Sequence, residues 1–212
     1  MRCVIVGGAN IKEYERVSSY LKKDDHFIFC DSGLKHLGHL EADGVPVTSD
    51  LTVGDFDSHV KPDTGEEVIL LPVQKDDTDT FYAAKEAVKR GFDEFLLIGV
   101  IGDRFDHSLA NISILLMLED KGFKASLVDD HSYMEIVSDK TGPKFIEDKF
   151  SFFSLLNITG KARGIDITGA KYPLNDGEVK CEYQYAVSNE VLPGKVAEVS
   201  VKEGKLLLIQ DF

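Results

Sequence analysis

Cysteine is scarce in this chain. Cys3, Cys30 and Cys181 are the whole complement in 212 residues, far apart and with no Cys-x-x-Cys spacing. That excludes a disulfide scaffold or a zinc framework and suits free thiols in a reducing cytosol. Long apolar runs are missing too. Nothing approaches the ~18 residues of a membrane-spanning helix, and the apolar run after Met1-Arg2 is too short for a signal peptide. We expect a soluble, cytoplasmic protein without a membrane partner. Positive charge is in deficit, with 24 Lys and Arg against 37 Asp and Glu and a formal charge of −13. Affinity for a phosphodiester backbone needs basic patches, so nucleic acid is not an expected partner. Several familiar signatures are also absent. There is no Gly-x-x-x-x-Gly-Lys-Ser/Thr loop, and Gly7-Gly8-Ala9-Asn10 does not complete a Gly-x-Gly-x-x-Gly fingerprint. No Gly-x-Ser-x-Gly elbow or closely spaced His metal motif occurs.

What is present falls into two regimes. At 43 % hydrophobic residues the chain can bury a substantial core. Residues 3–6, 27–30, 51–53, 68–71, 95–101 and 125–128 form nearly continuous apolar runs, the pattern of parallel strands covered on both faces. Helical patterns at 12–23, 33–40, 78–90 and 107–121 alternate with them, and Gly91 and Gly122 are placed to end the last two. Alternation of this kind predicts an α/β domain with a doubly wound, mainly parallel sheet over residues 1–138. After the turn-rich Lys140-Thr141-Gly142-Pro143 the helical pattern stops. Short apolar runs at 150–156, 165–167, 179–187, 196–201 and 206–209, punctuated by Gly, Asn and Asp, predict a small all-β sandwich over 139–212.

Three aspartate-bearing stretches carry the chemistry, each after an apolar run: Gly54-Asp55-Phe56-Asp57-Ser58, Asp76-Asp77-Thr78-Asp79-Thr80 and Gly102-Asp103-Arg104-Phe105-Asp106-His107. In an open α/β sheet these positions fall at the carboxyl ends of strands, where ligands bind. Carboxylates gathered on one edge repel one another unless a cation sits among them. A hard divalent ion such as Mg²⁺, bridging carboxylates to substrate phosphates, is the natural candidate. Asp55 and Asp57, two residues apart on an extended segment, would point the same way; ordinary Asp turn chemistry is the bland alternative. Asp76, Asp77, Thr78 and Asp79 precede a helix, where Asp77 or Thr78 suffices as a cap, leaving surplus carboxylates for a shared metal. Arg104 opens another helix and is suited to grip phosphate, unless it simply pairs with a neighbouring Asp. For His107 alone a structural hydrogen bond is the simpler role.

Taken together, in this order and spacing, these motifs and Asn111 resemble the thiamine pyrophosphokinase family. The likeness extends to Asp31-Ser32-Gly33, Gly169-Ala170-Lys171-Tyr172-Pro173-Leu174 and Ser188-Asn189, and so spans nearly the whole chain. The resemblance implies an α/β nucleotide-binding domain followed by a β-sandwich. It implies a homodimer with its active site at the subunit interface, and transfer of a pyrophosphoryl group from ATP to the hydroxyl of thiamine, releasing AMP. Carried over residue by residue, Asp55, Asp57 and Asp79 would hold Mg²⁺. Arg104 would contact ATP phosphates, with Asp31, Ser32, Gly33, Asp77, Thr78, His107 and Asn111 in the nucleotide site. Asp76 and Asp106 would line the reaction centre, Asp76 orienting or deprotonating the hydroxyl. Tyr172, Ser188 and Asn189 would bind thiamine, the tyrosine through its aromatic face. Two positions depart from the family pattern: Asp103 and Ser32 stand where the family usually has Gly. A glycine there would serve positive φ or close backbone approach to phosphate.

Two other classes of protein account for parts of the pattern. A nucleotide-sugar glycosyltransferase could use Asp55-x-Asp57 for a metal-bound diphosphate, but it leaves the Arg104–His107 stretch and the β domain unexplained. A nucleotide- or thiamine-responsive binding module without catalysis would bind both ligands and release no diphosphate product.

Overall fold

The computed structural model describes residues 1–42, 47–56 and 67–212. Residue contacts divide it into two units, Met1–Leu118 with Phe123–Asp130, and Glu119–Gly122 with His131–Phe212. The division falls near residue 130, earlier than the expected 138.

In the first unit, β1 (Arg2–Val6), β2 (His26–Cys30), β3 (Leu51–Gly54), β4 (Val68–Leu70), β5 (Glu94–Ile98) and β6 (Lys124–Val128) form a parallel sheet in the order β4-β3-β2-β1-β5-β6. Val4, Ile5, Phe27, Phe29, Leu97 and Ile98 are fully buried, as unbroken apolar strands must be when both faces are covered. From β1 the chain steps outward to β4, then returns to the other side of β1 at β5. Right-handed crossovers leaving in opposite directions put helices on opposite faces, and the reversal makes the gap between β1 and β5 the topological switch point. This is the expected doubly wound sheet.

The helices are α1 (Tyr14–Ser18), α2 (Leu37–Ala42), α3 (Asp79–Lys89) and α4 (Phe105–Asp120), with a 3₁₀ turn at Asp31–His36 leading into α2. The helix expected over 12–23 shrinks to five residues. The backbone amides of Lys12 and Glu13 bond to the distant Asp130 carboxylate, a tertiary contact that holds the chain before Tyr14 outside the helix. β5 stops at Ile98, short of the expected 101, because Gly99 adopts φ +61° and turns the chain out of the sheet. At the start of α3, Thr78 is the cap: its Oγ1 accepts from the Phe81 amide at 3.2 Å. Thr78→Ala should cost about 1 kcal/mol, read as a lower urea midpoint at unchanged slope.

The second unit contains two antiparallel sheets. One has β7 (Ser132–Ser138), β13 (Lys205–Asp211) and β9 (Phe152–Leu156) in the order β7-β13-β9. The other has β8 (Lys144–Glu147), β10 (Lys161–Thr168), β11 (Leu174–Lys180) and β12 (Val196–Ser200) in the order β11-β10-β12-β8. Val137, Phe153, Leu155, Leu206 and Leu208 from the first sheet share one core with Ile146, Ala162, Ile165, Ile167 and Ala197 from the second. Sheets that interleave inner faces in this way make a sandwich. Among the described residues no helix is long and apolar enough to cross a membrane.

Candidate active site

The carboxyl edge of the parallel sheet is built on backbone. The amides of Gly7 and Ala9 bond the carbonyls of Ile98 and Gly99, extending the β1–β5 pairing past the strand ends. The two segments lie so close that a Cβ on Gly7 would stand 2.6 Å from the Gly99 carbonyl oxygen. His36 helps to hold this loop. Its Nε2 lies 2.8 Å from the Ala9 carbonyl and its Nδ1 2.6 Å from the Tyr14 hydroxyl. Burial lowers its pKa to about 4, so at neutral pH the ring is uncharged, donating from Nε2 and accepting at Nδ1. Lys35 adds bonds to the Gly8 carbonyl and the Asn10 side chain.

A cleft of about 560 Å³ opens at this switch point. Gly7 to Asn10, Asp31, Ser32, Asp55, Lys75, Asp77 to Thr80, Arg104, His107 and Asn111 are among the residues that line it. Segments scattered over a hundred residues of sequence therefore meet where the fold predicts a ligand.

The centre of the cleft holds three charges. Lys75 Nζ lies 2.7 Å from Asp55 Oδ2 and 2.8 Å from Asp79 Oδ1, and the three side chains are only 17, 13 and 22 % exposed. Burial raises the Asp79 pKa, with Lys75 opposing the shift and the Asp55 and Asp31 charges adding to it. Burial works against the Lys75 charge, but its bonds to both carboxylates outweigh that, and its pKa rises. Asp31 has left-handed backbone, φ +42°, and its buried Oδ1 has no hydrogen-bond partner among the described residues. The sequence anticipated a cation among these acids. Lys75 is one, and it comes from the chain itself. The signal was a lysine four residues before Asp79, one helical turn upstream of a half-buried acid.

Other expected residues fall unevenly. Asp57 and Ser58 lie outside the described residues. Phe56 has φ +53°, so the backbone at that residue is left-handed and not extended. Asp76 is exposed and does not line the cleft, which leaves its expected proton-handling role without geometric support. Asp77 lines the cleft but is paired with Lys85 at 2.7 Å. Arg104 takes the pairing alternative in this state. Its Nε and Nη2 donate to the two oxygens of Asp106 at 3.0 and 2.7 Å, with both side chains well exposed. That clasp lowers the Asp106 pKa. Asn111 is buried and donates to the Val100 carbonyl at 2.7 Å, so it braces the loop after β5.

The two departures from the family pattern have a local account. Among the described residues, positive φ outside glycine is confined to Asp31, Phe56, Asp176 and Ser188. Neither Ser32 nor Asp103 needs a glycine conformation. Ser32 Oγ lies 1.8 Å from where a Cβ on Gly8 would sit, so the hydroxyl fills space that the facing glycine leaves open.

The sandwich carries its own small pocket of about 180 Å³, lined by Ile167, Tyr172, Pro173, Leu174, Tyr185 and Asn189, with Ala186 and Val187. Tyr185 was not anticipated. Asn189 is buried, and its amide is spent on backbone: Oδ1 accepts from the Tyr172 and Glu190 amides at 3.0 and 2.9 Å, and Nδ2 donates to the Tyr172 carbonyl at 2.8 Å. It shapes the Tyr172 turn. Ser188, at φ +55°, bonds the Ser154 hydroxyl through its amide and is not part of the lining.

The residues present fit a hard divalent ion. Two converging carboxylates satisfy the modest protein-ligand demand of Mg²⁺, which completes its shell with water and substrate phosphate. Among the described residues no group of three or more His, Cys, Asp or Glu side chains is placed to hold a metal ion.

Fold and site together define a doubly wound α/β ligand-binding protein with an appended β-sandwich. The family model "Thiamin pyrophosphokinase, catalytic domain" matches residues 17–127, and "Thiamin pyrophosphokinase, vitamin B1 binding domain" matches 144–206. The chain is 24 % identical over 213 residues to the thiamine pyrophosphokinase of Bacillus subtilis, covering 98 % of this chain and 97 % of the relative. The crystal structure of thiamine pyrophosphokinase from that organism superposes with a TM-score of 0.86 at 23 % identity, covering 100 % of this chain and 99 % of the other. A thiamin pyrophosphokinase family protein from Enterococcus faecalis gives 0.80 at 26 % identity, covering 100 % and 99 %. With more than half of its length matched by the catalytic-domain model, the chain belongs to the thiamine pyrophosphokinase family.

Proposed function

We propose that the chain transfers the pyrophosphoryl group of ATP to the hydroxyl of thiamine, giving thiamine diphosphate and AMP. The observation that carries this reading is the convergence of Asp55, Lys75 and Asp79 on the switch-point cleft. Phosphoryl transfer asks little covalent chemistry of a protein and much positioning and charge neutralisation. Asp55 and Asp79, with Asp57 as a third candidate, would hold Mg²⁺. When bound, that ion supplies charge neutralisation and orientation for the polyphosphate. Gly7 and Gly8 line the cleft, and the N-terminus of α3 adds affinity for anions. Arg104 would exchange Asp106 for phosphate oxygens, a like-for-like replacement of one anion by another. The pocket on the sandwich, with Tyr172 and Tyr185 on its wall, suits a flat, cationic heteroaromatic ring.

The reading includes a cytoplasmic homodimer with its active site at the subunit interface. Exposed Tyr172, Tyr183, Tyr185, Val187 and Leu192 on the sandwich supply apolar surface of the kind such an interface buries. The test is direct. Purified protein with ATP, Mg²⁺ and thiamine should yield thiamine diphosphate by mass and one AMP per product. Tight binding of both ligands with no product would instead make it a binding module, and release of inorganic phosphate without thiamine diphosphate would reject the acceptor.

A further inference from the structure

We propose that Lys75 is an internal occupant of the cation position between Asp55 and Asp79, so that a divalent ion binds only by displacing it, and that the displaced ammonium then serves a polyphosphate. The inference rests on the reading above and deepens it.

Three observations support it. First, the ammonium contacts one oxygen of each acid, at 2.7 and 2.8 Å, in a place where all three side chains are largely shielded from water. Two acids from separate segments, one after β3 and one opening α3, thereby share one compensating positive charge without an ion. Second, an ammonium and a divalent ion cannot share these two oxygens, because like charges at contact distance in a shielded site repel strongly. Metal entry therefore requires the lysine to leave. Third, Lys75 has somewhere to go. It sits in the non-helical link between β4 and α3, beside exposed Val73 and Gln74, and it lines the same cleft as Gly8, Asp31 and Arg104. A four-carbon stem lets its compact charge swing without moving the backbone.

The consequence is thermodynamic. With no polyphosphate in the cleft, expelling Lys75 forfeits its two close carboxylate contacts, and metal alone binds weakly. A polyphosphate receives that ammonium, so metal and polyphosphate each favour the other, and by linkage the effect is mutual. At rest the site holds one compensating positive charge, and on loading it exchanges that cation for another.

The test uses Mn²⁺ alone, followed by electron paramagnetic resonance of the free ion, on wild type, Lys75→Met and Lys75→Gln, with folding checked by circular dichroism. Both variants should bind Mn²⁺ about tenfold more tightly than wild type, within the usual range of coupling between two sites. They should also bind the Mn²⁺ complex of α,β-methylene-ATP more weakly than wild type does. A second measurement needs no variant. Mg²⁺ alone should speed reductive methylation of Lys75 in the wild-type protein, read by peptide mass, and Mg²⁺ with α,β-methylene-ATP should slow it again. Equal Mn²⁺ affinity in all three proteins, or a methylation rate at Lys75 indifferent to Mg²⁺, overturns the inference. If Asp79→Asn then still removes Mn²⁺ binding, the proposed reaction stands without this refinement. If Mn²⁺ binding ignores Asp79→Asn as well, both fall.

Discussion

Replacing Asp79 by asparagine should lower the turnover of thiamine diphosphate formation by at least ~10²-fold, the scale on which preorganised electrostatic groups count in transition states. The side chain keeps its size, and the helix it opens keeps Thr78 as cap. What changes is charge at the one place where two acids converge. The loss should reside in the rate and not in folding. Burial raises the Asp79 pKa, and an acid whose pKa rises on folding opposes the fold once it is ionised. The neutral amide should therefore melt close to wild type while turnover collapses. The measurement is kcat at saturating Mg²⁺ beside a thermal melt. Near wild-type turnover would refute the role assigned to Asp79.

Gly33→Ala should be the most damaging small substitution at the sheet edge. A Cβ there would lie 2.3 Å from the Val6 carbonyl oxygen, 3.1 Å from Val6 C and 3.2 Å from Gly7 C. Every one of these atoms is backbone at the carboxyl end of β1, so no side chain can rotate away. Either the 3₁₀ turn that opens with Asp31 or the end of β1 must move. Overpacking of this kind costs about 3 kcal/mol, and it should weaken nucleotide affinity in parallel because both segments line the cleft. Gly38→Ala is the matched control, in α2 with nothing within 4 Å of its added methyl. There alanine should be neutral or stabilising, by up to about 1 kcal/mol, since glycine is the weaker helix former. Urea unfolding and a nucleotide titration of the two variants would separate close packing from a general intolerance of change.

The strands of the parallel sheet were legible because burial on both faces leaves nearly unbroken apolar runs, as in Val4-Ile5-Val6 and Phe95-Leu96-Leu97-Ile98. Elements whose shape depends on partners far along the chain were harder to read. β7 alternates along Ser132–Ser138 and pairs with β13 some seventy residues later, and β8 is short and polar at both ends. Residues 179–187 read as one strand, whereas β11 covers Leu174–Lys180. Its Asn175-Asp176-Gly177, a turn signal by composition, lies inside a strand broken by register shifts opposite β10. At the site, motif order pointed to the correct edge of the sheet. Composition could not reveal that Phe56 is left-handed, that Asp76 lies outside the cleft lining, or that Asn189 spends its amide on the Tyr172 turn. Each of these depends on backbone geometry set by residues elsewhere. Lys75 has a sequence signal of its own, a base four residues before Asp79, but acidic motifs alone do not point to it.

The division of labour between β1, β5 and their flanking loops bears on how such an enzyme could diversify. The floor of the cleft is peptide backbone and glycine, locked into the middle of the sheet, and it offers little for mutation to act on. The side chains that line the cleft beside this floor come in part from the link before α3 and from the turn into α4, among them Asp77, Asp103 and Arg104. Variation, natural or engineered, can therefore act on these side chains while the scaffold beneath stays intact.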